Sequence, residues 1–277
     1  MKYKAILAKT SVIVAVLGLS ACGASAALTA SDIAANYSGG WSTSTSPNLG
    51  SGFGAWSFLD NDGGGVAPYA GTYLDLATYG NPDTVVGGTP SSSWGVYANG
   101  AANAFIDISR AFTTDGSTAS LNNQTFSVAF NSSGIGSTGQ SIGLSVGSAF
   151  SLAYAGGGAD NMTLSVDGGA ANAISVDYAQ LAAGINLALT VTGPLSSTTE
   201  GYSLVISPFA GGPALYTGTG TFDSSAYNTS SFTLAANDPS ANQYFNDLSI
   251  TAVPEPSSMV MLGFAGLTTL LAIRRRK

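Results

Sequence analysis

The chain contains no histidine and one cysteine, Cys22. It also has little positive charge, with eight Lys and Arg in 277 residues. The first absence excludes a Ser-His-Asp triad. With Cys22 in an N-terminal leader, the body after it has no disulfide and no thiol or imidazole to hold zinc. Basic residues are scarce in a telling place. Between residues 27 and 253 there is one cation, Arg110, against fourteen acidic residues, a formal charge of −13. Such a body repels nucleic acid and anionic lipid, so DNA and RNA are excluded as partners. Glu200 is the only Glu in that stretch, so a paired-carboxylate glycosidase would have to use Asp. The composition therefore reads as that of a protein that is not an enzyme. Gly is abundant, at 36 residues, but lacks the three-residue period of collagen. Apolar residues make up 45%, too many for a disordered chain.

Charge and apolar runs concentrate at the two ends. Lys2, Lys4 and Lys9 precede an apolar core at residues 13–19, and Ala24-Ser25-Ala26 supplies small residues for cleavage before Ala27. Residues 1–26 thus read as an export signal. A competing reading takes Leu19-Ser20-Ala21-Cys22 as a lipobox, which would leave an acyl anchor on Cys22. At the other end, Val253-Pro254-Glu255-Pro256 leads into an apolar run over 257–273, closed by Arg274-Arg275-Arg276-Lys277. The prolines keep the approach extended. The run is short but reads as a membrane helix, with the basic cluster on the cytoplasmic side. The membrane is therefore an expected partner of the unprocessed chain.

That tail resembles the PEP-CTERM sorting signal of Gram-negative bacteria. The likeness covers residues 253–277 and rests on Val253, Pro254, Glu255 and Pro256, with Arg274, Arg275 and Arg276 as the stop. It implies recognition and processing by an exosortase-type membrane protease. It also implies delivery to the cell envelope, outer surface or extracellular matrix, often in bacteria that make exopolysaccharide and biofilm. The signal reports sorting and leaves the work of the cargo open.

The body, residues 27–252, shows period-2 alternation. Thr125-Phe126-Ser127-Val128-Ala129-Phe130 places its apolar residues on one face. Similar runs occupy 141–146, 149–154, 162–166, 173–178, 185–192, 201–206, 230–234 and 244–251. Asp167-Gly168-Gly169 marks a hairpin turn. The expected fold is all-β: an antiparallel β-sandwich, jelly-roll or lectin-like. The segment 31–99 is loop-rich, with candidate strands at 55–59, 72–78 and 93–97. It is expected to add edge strands and long loops to one domain. The opposing reading cuts the chain near Gly100. A second, looser resemblance covers about residues 40–252. It rests on the sequence around Trp56, on Arg110-Ala111-Phe112 and on Tyr244-Phe245-Asn246-Asp247-Leu248. These look like sandwich ectodomains of other PEP-CTERM proteins.

Two candidate sites follow. Trp41, Trp56, Trp94 and Tyr97 have the flat faces needed to stack on sugar rings of an exopolysaccharide, with Trp41 expected to be the most exposed. The competing reading places Trp56 and Trp94 in the core. Asp60-Asn61-Asp62-Gly63-Gly64 offers oxygen ligands in a turn, so Asp60, Asn61 and Asp62 are candidate calcium ligands. The distal Glu of a calcium loop is absent, which leaves an Asx turn as the competing reading and no other cofactor implied. For Arg110, burial in a structural ion pair stands against a clamp on a ligand carboxylate. The expected role is structural or adhesive, with carbohydrate binding as the alternative.

Overall fold

Alternating apolar and polar residues, punctuated every six to ten positions by Gly, Asn and Asp, favour strands joined by tight turns. A computed structural model describes residues 29–42, 48–62, 70–76, 92–98, 103–114, 117–118, 120–133, 135, 138–157, 161–237 and 241–253. The strands are β1 (Ala30–Asp32), β2 (Phe53–Asp62), β3 (Ala70–Leu76), β4 (Ser92–Ala98), β5 (Ala104–Thr114), β6 (Ser117–Thr118), β7 (Gln124–Ser133) and β8 (Ser141–Val146). They continue with β9 (Phe150–Ala155), β10 (Asn161–Val166), β11 (Asn172–Asp177), β12 (Ile185–Pro194), β13 (Thr199–Pro208), β14 (Tyr216–Asp223), β15 (Ser231–Asn237) and β16 (Ala241–Ala252). A 3-10 turn (Ala34–Tyr37) and one short helix, α1 (Tyr178–Ala182), complete the described elements. Asp177 caps α1 by accepting from the Gln180 N–H at 2.8 Å, and the Gln180 side chain reciprocates.

All pairings are antiparallel and make two eight-stranded sheets. The first runs β14-β13-β12-β7-β16-β4-β3, with β1 also on β16. The second runs β11-β10-β9-β8-β15-β5-β2, with β6 on β5. The fold is thus all-β and two-layered, as expected. The inner faces meet through Phe126, Val128 and Phe130, through Leu187, Leu189 and Val191, and through Ile106, Ile108, Phe232 and Leu234, all buried. Burying each such side chain stabilises the fold by about 1.5–3 kcal/mol, and their number makes disulfides unnecessary.

Strands drawn from residues 53–98 pair directly with strands from 104–252 in both sheets. β2 and β3 form sheet edges, as anticipated for this segment. β4 differs: it lies inside the first sheet, between β16 and β3. Its buried Trp94, Val96 and Ala98 give the reason, since an alternating apolar face belongs over the core. The β10–β11 hairpin turns at Asp167 and Gly168, with φ of 56° and 62°. The Asp-Gly pair supplies the left-handed backbone such a turn needs. Strand β14 has no counterpart among the expected runs.

Candidate functional site

The three tryptophans come together, but inside the protein. Trp41 follows the 3-10 turn, Trp56 lies on β2 and Trp94 on β4. Their relative exposures are 2%, 5% and 0%. Trp56 meets Trp41 and Trp94 edge-on, both at 5.3 Å between ring centres. Trp94 stacks on Phe245 of β16 at 5.2 Å, and Trp56 meets Phe232 of β15 at 5.8 Å. The cluster therefore bridges the two sheets. The sugar-stacking reading of Trp41, Trp56 and Trp94 is corrected on this point: their faces are covered by other rings. Trp41 in particular is buried, against expectation. Its Gly/Ser/Thr-rich surroundings have no alternation that could have announced a core position.

Arg110 sits beside this cluster on β5 and is also buried. Its Nη1 pairs with Asp32 Oδ2, and both side chains are fully covered. Its Nη2 donates to Asn48 Oδ1, and its Nε donates to the Gly54 carbonyl at 2.8 Å. The guanidinium carbon lies 4.8 Å from the Trp56 ring centre and 5.0 Å from that of Phe53. Asp32 accepts three more hydrogen bonds: from the Tyr37 hydroxyl at 2.6 Å, Asn36 Nδ2 at 3.1 Å and the Ile33 N–H at 2.9 Å. Burial pushes the Tyr37 phenol up, and the hydrogen bond to Asp32 adds to it. Trp56 Nε1 donates to that same Tyr37 oxygen at 3.1 Å. This network fastens residues 32–37 and Asn48 to β2 and β5. Its guanidinium is spent on protein groups, so the structural reading of Arg110 stands over the ligand clamp.

Asp60, Asn61 and Asp62 are the last three residues of β2. For these three the expected turn is corrected to extended strand, whose side chains alternate between faces, while Gly63 and Gly64 lie outside the described residues. Asn61 therefore leaves the face shared by Asp60 and Asp62. Asp62 Oδ1 instead accepts the Ala70 N–H of β3 at 2.9 Å. Among the described residues no three acidic, Cys or His groups gather to hold a metal. Tyr97 lies near this pair of carboxylates: burial raises its phenol pKa first, then Asp62 and Asp60. Half-buried Tyr97 neighbours Tyr73 at 6.1 Å on the outer face of the first sheet.

At the opposite lateral edge the sheets part to leave a cleft of about 400 Å³. Leu164, Val166 and Ile174 line one wall, Tyr202 and Tyr216 the other, with Gly169, Ala170 and Asn172 at its rim. The inward positions of β14 are Tyr216, Gly218, Gly220 and Phe222, opposite Ile206, Leu204, Tyr202 and Glu200 of β13. The Tyr216 ring covers Gly218 and the Tyr202 ring covers Gly220, so closely that a Cβ at either glycine would meet them at 2.4 Å and 2.9 Å. Burial raises the Tyr202 phenol pKa, with Tyr216 and Asp167 adding to it. Sequence reasoning missed this cleft because glycine carries no apolar signal.

The sorting tail is joined to the sandwich without a spacer. β16, a central strand, ends at Ala252, and the Val253 N–H donates to the Asn123 carbonyl at 2.8 Å. Pro254, Glu255, Pro256, the helix expected at 257–273, Arg274, Arg275 and Arg276 lie outside the described residues, as does the leader with Cys22. Among the described residues no helix is long and apolar enough to cross a membrane.

Geometry and tail together define a β-sandwich carrying a C-terminal address. Residues 252–277 match the PEP-CTERM protein-sorting motif, and the chain carries that motif. The motif implies a sorted, exported protein that is processed by an exosortase. No curated protein matches the chain in sequence. Among solved structures, it is similar to the exoplasmic/lumenal domain of VIP36 bound to Ca2+ and Man3GlcNAc, at 11% identity and a TM-score of 0.39, covering 73% of this chain and 88% of that one. It is also similar to lectin I-B4 from Griffonia simplicifolia in its metal-free form, at 10% identity and a TM-score of 0.36, covering 71% and 92%. A third likeness is to the binding domain of botulinum neurotoxin serotype D, at 10% identity and a TM-score of 0.41, covering 77% of this chain and 46% of that one.

Proposed function

We propose that this is a non-catalytic structural or adhesive protein of the cell envelope or exopolysaccharide matrix. The observation that carries the reading is the direct junction at Val253 between a central strand of the sandwich and the sorting motif. A folded body with no spacer is delivered whole, and what it presents at its destination is its own surface. That surface is suited to a hydrated polymer network. The outward positions of β14 are Thr217, Thr219 and Thr221, all exposed, and Thr125 and Thr190 bond to each other at 2.8 Å across β7 and β12. Hydroxyl faces of this kind hydrogen-bond in water and with glycans alike, while the negative body stays soluble.

The test replaces Pro254, Glu255 and Pro256 together by Ala in a Gram-negative host that has an exosortase-type protease. Fractionation and intact mass follow the protein. The native chain should lose its tail and collect in the surface and matrix fractions. The variant should remain in the membrane at a mass that still includes residues 254–277. Equal mass and equal distribution of the two would sink the reading.

A further inference from the structure

We propose that the lateral cleft is a binding slot for one neutral pyranose ring of a glycan. The inference deepens the matrix role and rests on it, because it names what the delivered body would hold.

The slot exists because β14 carries glycine at two consecutive inward positions, Gly218 and Gly220. A side chain there would fill the gap between the sheets. In its place two tyrosine rings lie against the glycine backbone, the arrangement by which aromatic rings cover glycine in a sheet edge. Tyr202 is locked from behind by Phe150, edge-on at 5.0 Å. Two aromatic side chains are thereby set opposite the aliphatic wall of Leu164, Val166 and Ile174. Ser175 Oγ donates to the Leu215 carbonyl at 2.6 Å, joining β11 to the approach to β14.

The chemistry of the walls selects the occupant. A pyranose is a flat ring with apolar C–H faces and hydroxyls around its rim, and an aromatic face is electron-rich toward C–H groups. The phenols of Tyr202 and Tyr216 and the amide of Asn172 are the polar side chains among the residues that line the cleft. Asn172 Nδ2 is held by the Ala170 carbonyl at 3.0 Å, so the amide is fixed with its own oxygen left to accept. The raised Tyr202 pKa keeps its phenol protonated as a donor. Charge decides between neutral and acidic sugars. The body's one cation, Arg110, is buried in its ion pair with Asp32, and no Lys or Arg lines the cleft. A uronate or sulfated sugar would meet an acidic body with no counter-charge.

The experiment uses the full chain in lipid nanodiscs, tetranitromethane as the tyrosine reagent, and the methyl glycosides of glucose, galactose, mannose and N-acetylglucosamine as probes. Peptide masses report nitration at each tyrosine. At least one glycoside should slow nitration of Tyr202 and Tyr216 saturably, by about tenfold at about nine-tenths occupancy if occupied sites exclude the reagent. Tyr73, on the outer face, should react as before. In Tyr216→Ala the protection of Tyr202 should be lost, while Thr217→Ser, altered on the outward side of the same strand, should keep it. Failure of all four glycosides to protect the native chain overturns the proposal, as does equal protection of Tyr73. Protection in a protein that never reaches the surface would support the slot and sink the matrix role; correct delivery without protection would do the reverse.

Discussion

Breaking the buried ion pair between Asp32 and Arg110 should cost the fold far more than breaking an exposed one would. Consider Asp32→Asn. The amide keeps the size of the carboxylate but removes the charge that faces the guanidinium, and it can turn its own N–H groups toward Nη1. Exposed ion pairs are worth about 0–1 kcal/mol, whereas breaking a fully buried one costs about 3–5 kcal/mol because the remaining charge has no partner. Both side chains here are completely covered, so the second range applies. For a body of this size that corresponds to a fall in unfolding temperature of about 10 °C. Urea unfolding of both proteins, followed by tryptophan fluorescence, measures it directly, since Trp56 lies against Arg110. The double variant Asp32→Asn/Arg110→Met supplies the control. With the cation also gone, the loss should fall well short of the sum of the two single losses. A loss below about 1 kcal/mol for Asp32→Asn, or strict additivity in the double variant, would refute the argument that this pair is desolvated.

Three further outcomes are expected. Gly147 has φ of 55°, and a Cβ there would meet the Asn228 carbonyl oxygen at 2.0 Å, whereas Gly139 has φ of 95° and open space. Gly147→Ala should therefore lower the thermal midpoint clearly more than Gly139→Ala, the strained backbone alone costing about 1 kcal/mol. Trp94→Ala removes a ring packed between Trp56 and Phe245 and should cost about 3–5 kcal/mol in urea unfolding. Burial pushes the Asp107 carboxyl above its ordinary value. The native chain then keeps a proton that the unfolded chain has released, so stability falls as pH rises from the unfolded to the folded pKa and stays lower beyond it. Asp107→Asn should thus be more stable than the native chain at neutral pH. The gap should close below about pH 4, as unfolding curves across pH will report.

How far the sequence could be read depended on whether side chains advertised their surroundings. β7 and β12 were legible because Phe126, Val128 and Phe130, and Leu187, Leu189 and Val191, stand at every second position. The Asp167-Gly168 turn was legible because few residue pairs accept two positive φ angles. β14 was invisible for the opposite reason: its inward glycines leave a run of Thr and Gly with no apolar period. The cleft was missed with it. A core position for Trp56 and Trp94 was one of two readings the sequence allowed, and the company of Phe232 and Phe245 decides it; burial of Trp41 was not legible. Asp60, Asn61 and Asp62 read as a turn from composition, but pairing of β2 with β5 over Asp60↔Ile106 and Asp62↔Ala104 draws them straight.

β1 lies beside the end of β16, with Ala30 opposite Ile250, so the chain enters and leaves the sandwich at one pole. A tether at either terminus, or at both, consequently pulls on that pole alone. The ten residues of β12 span about 33 Å from Pro194, near the exit, to Ile185. The loop from Phe209 to Leu215 follows β13 at the Ile185 end, so it lies on the side of the sandwich away from both termini.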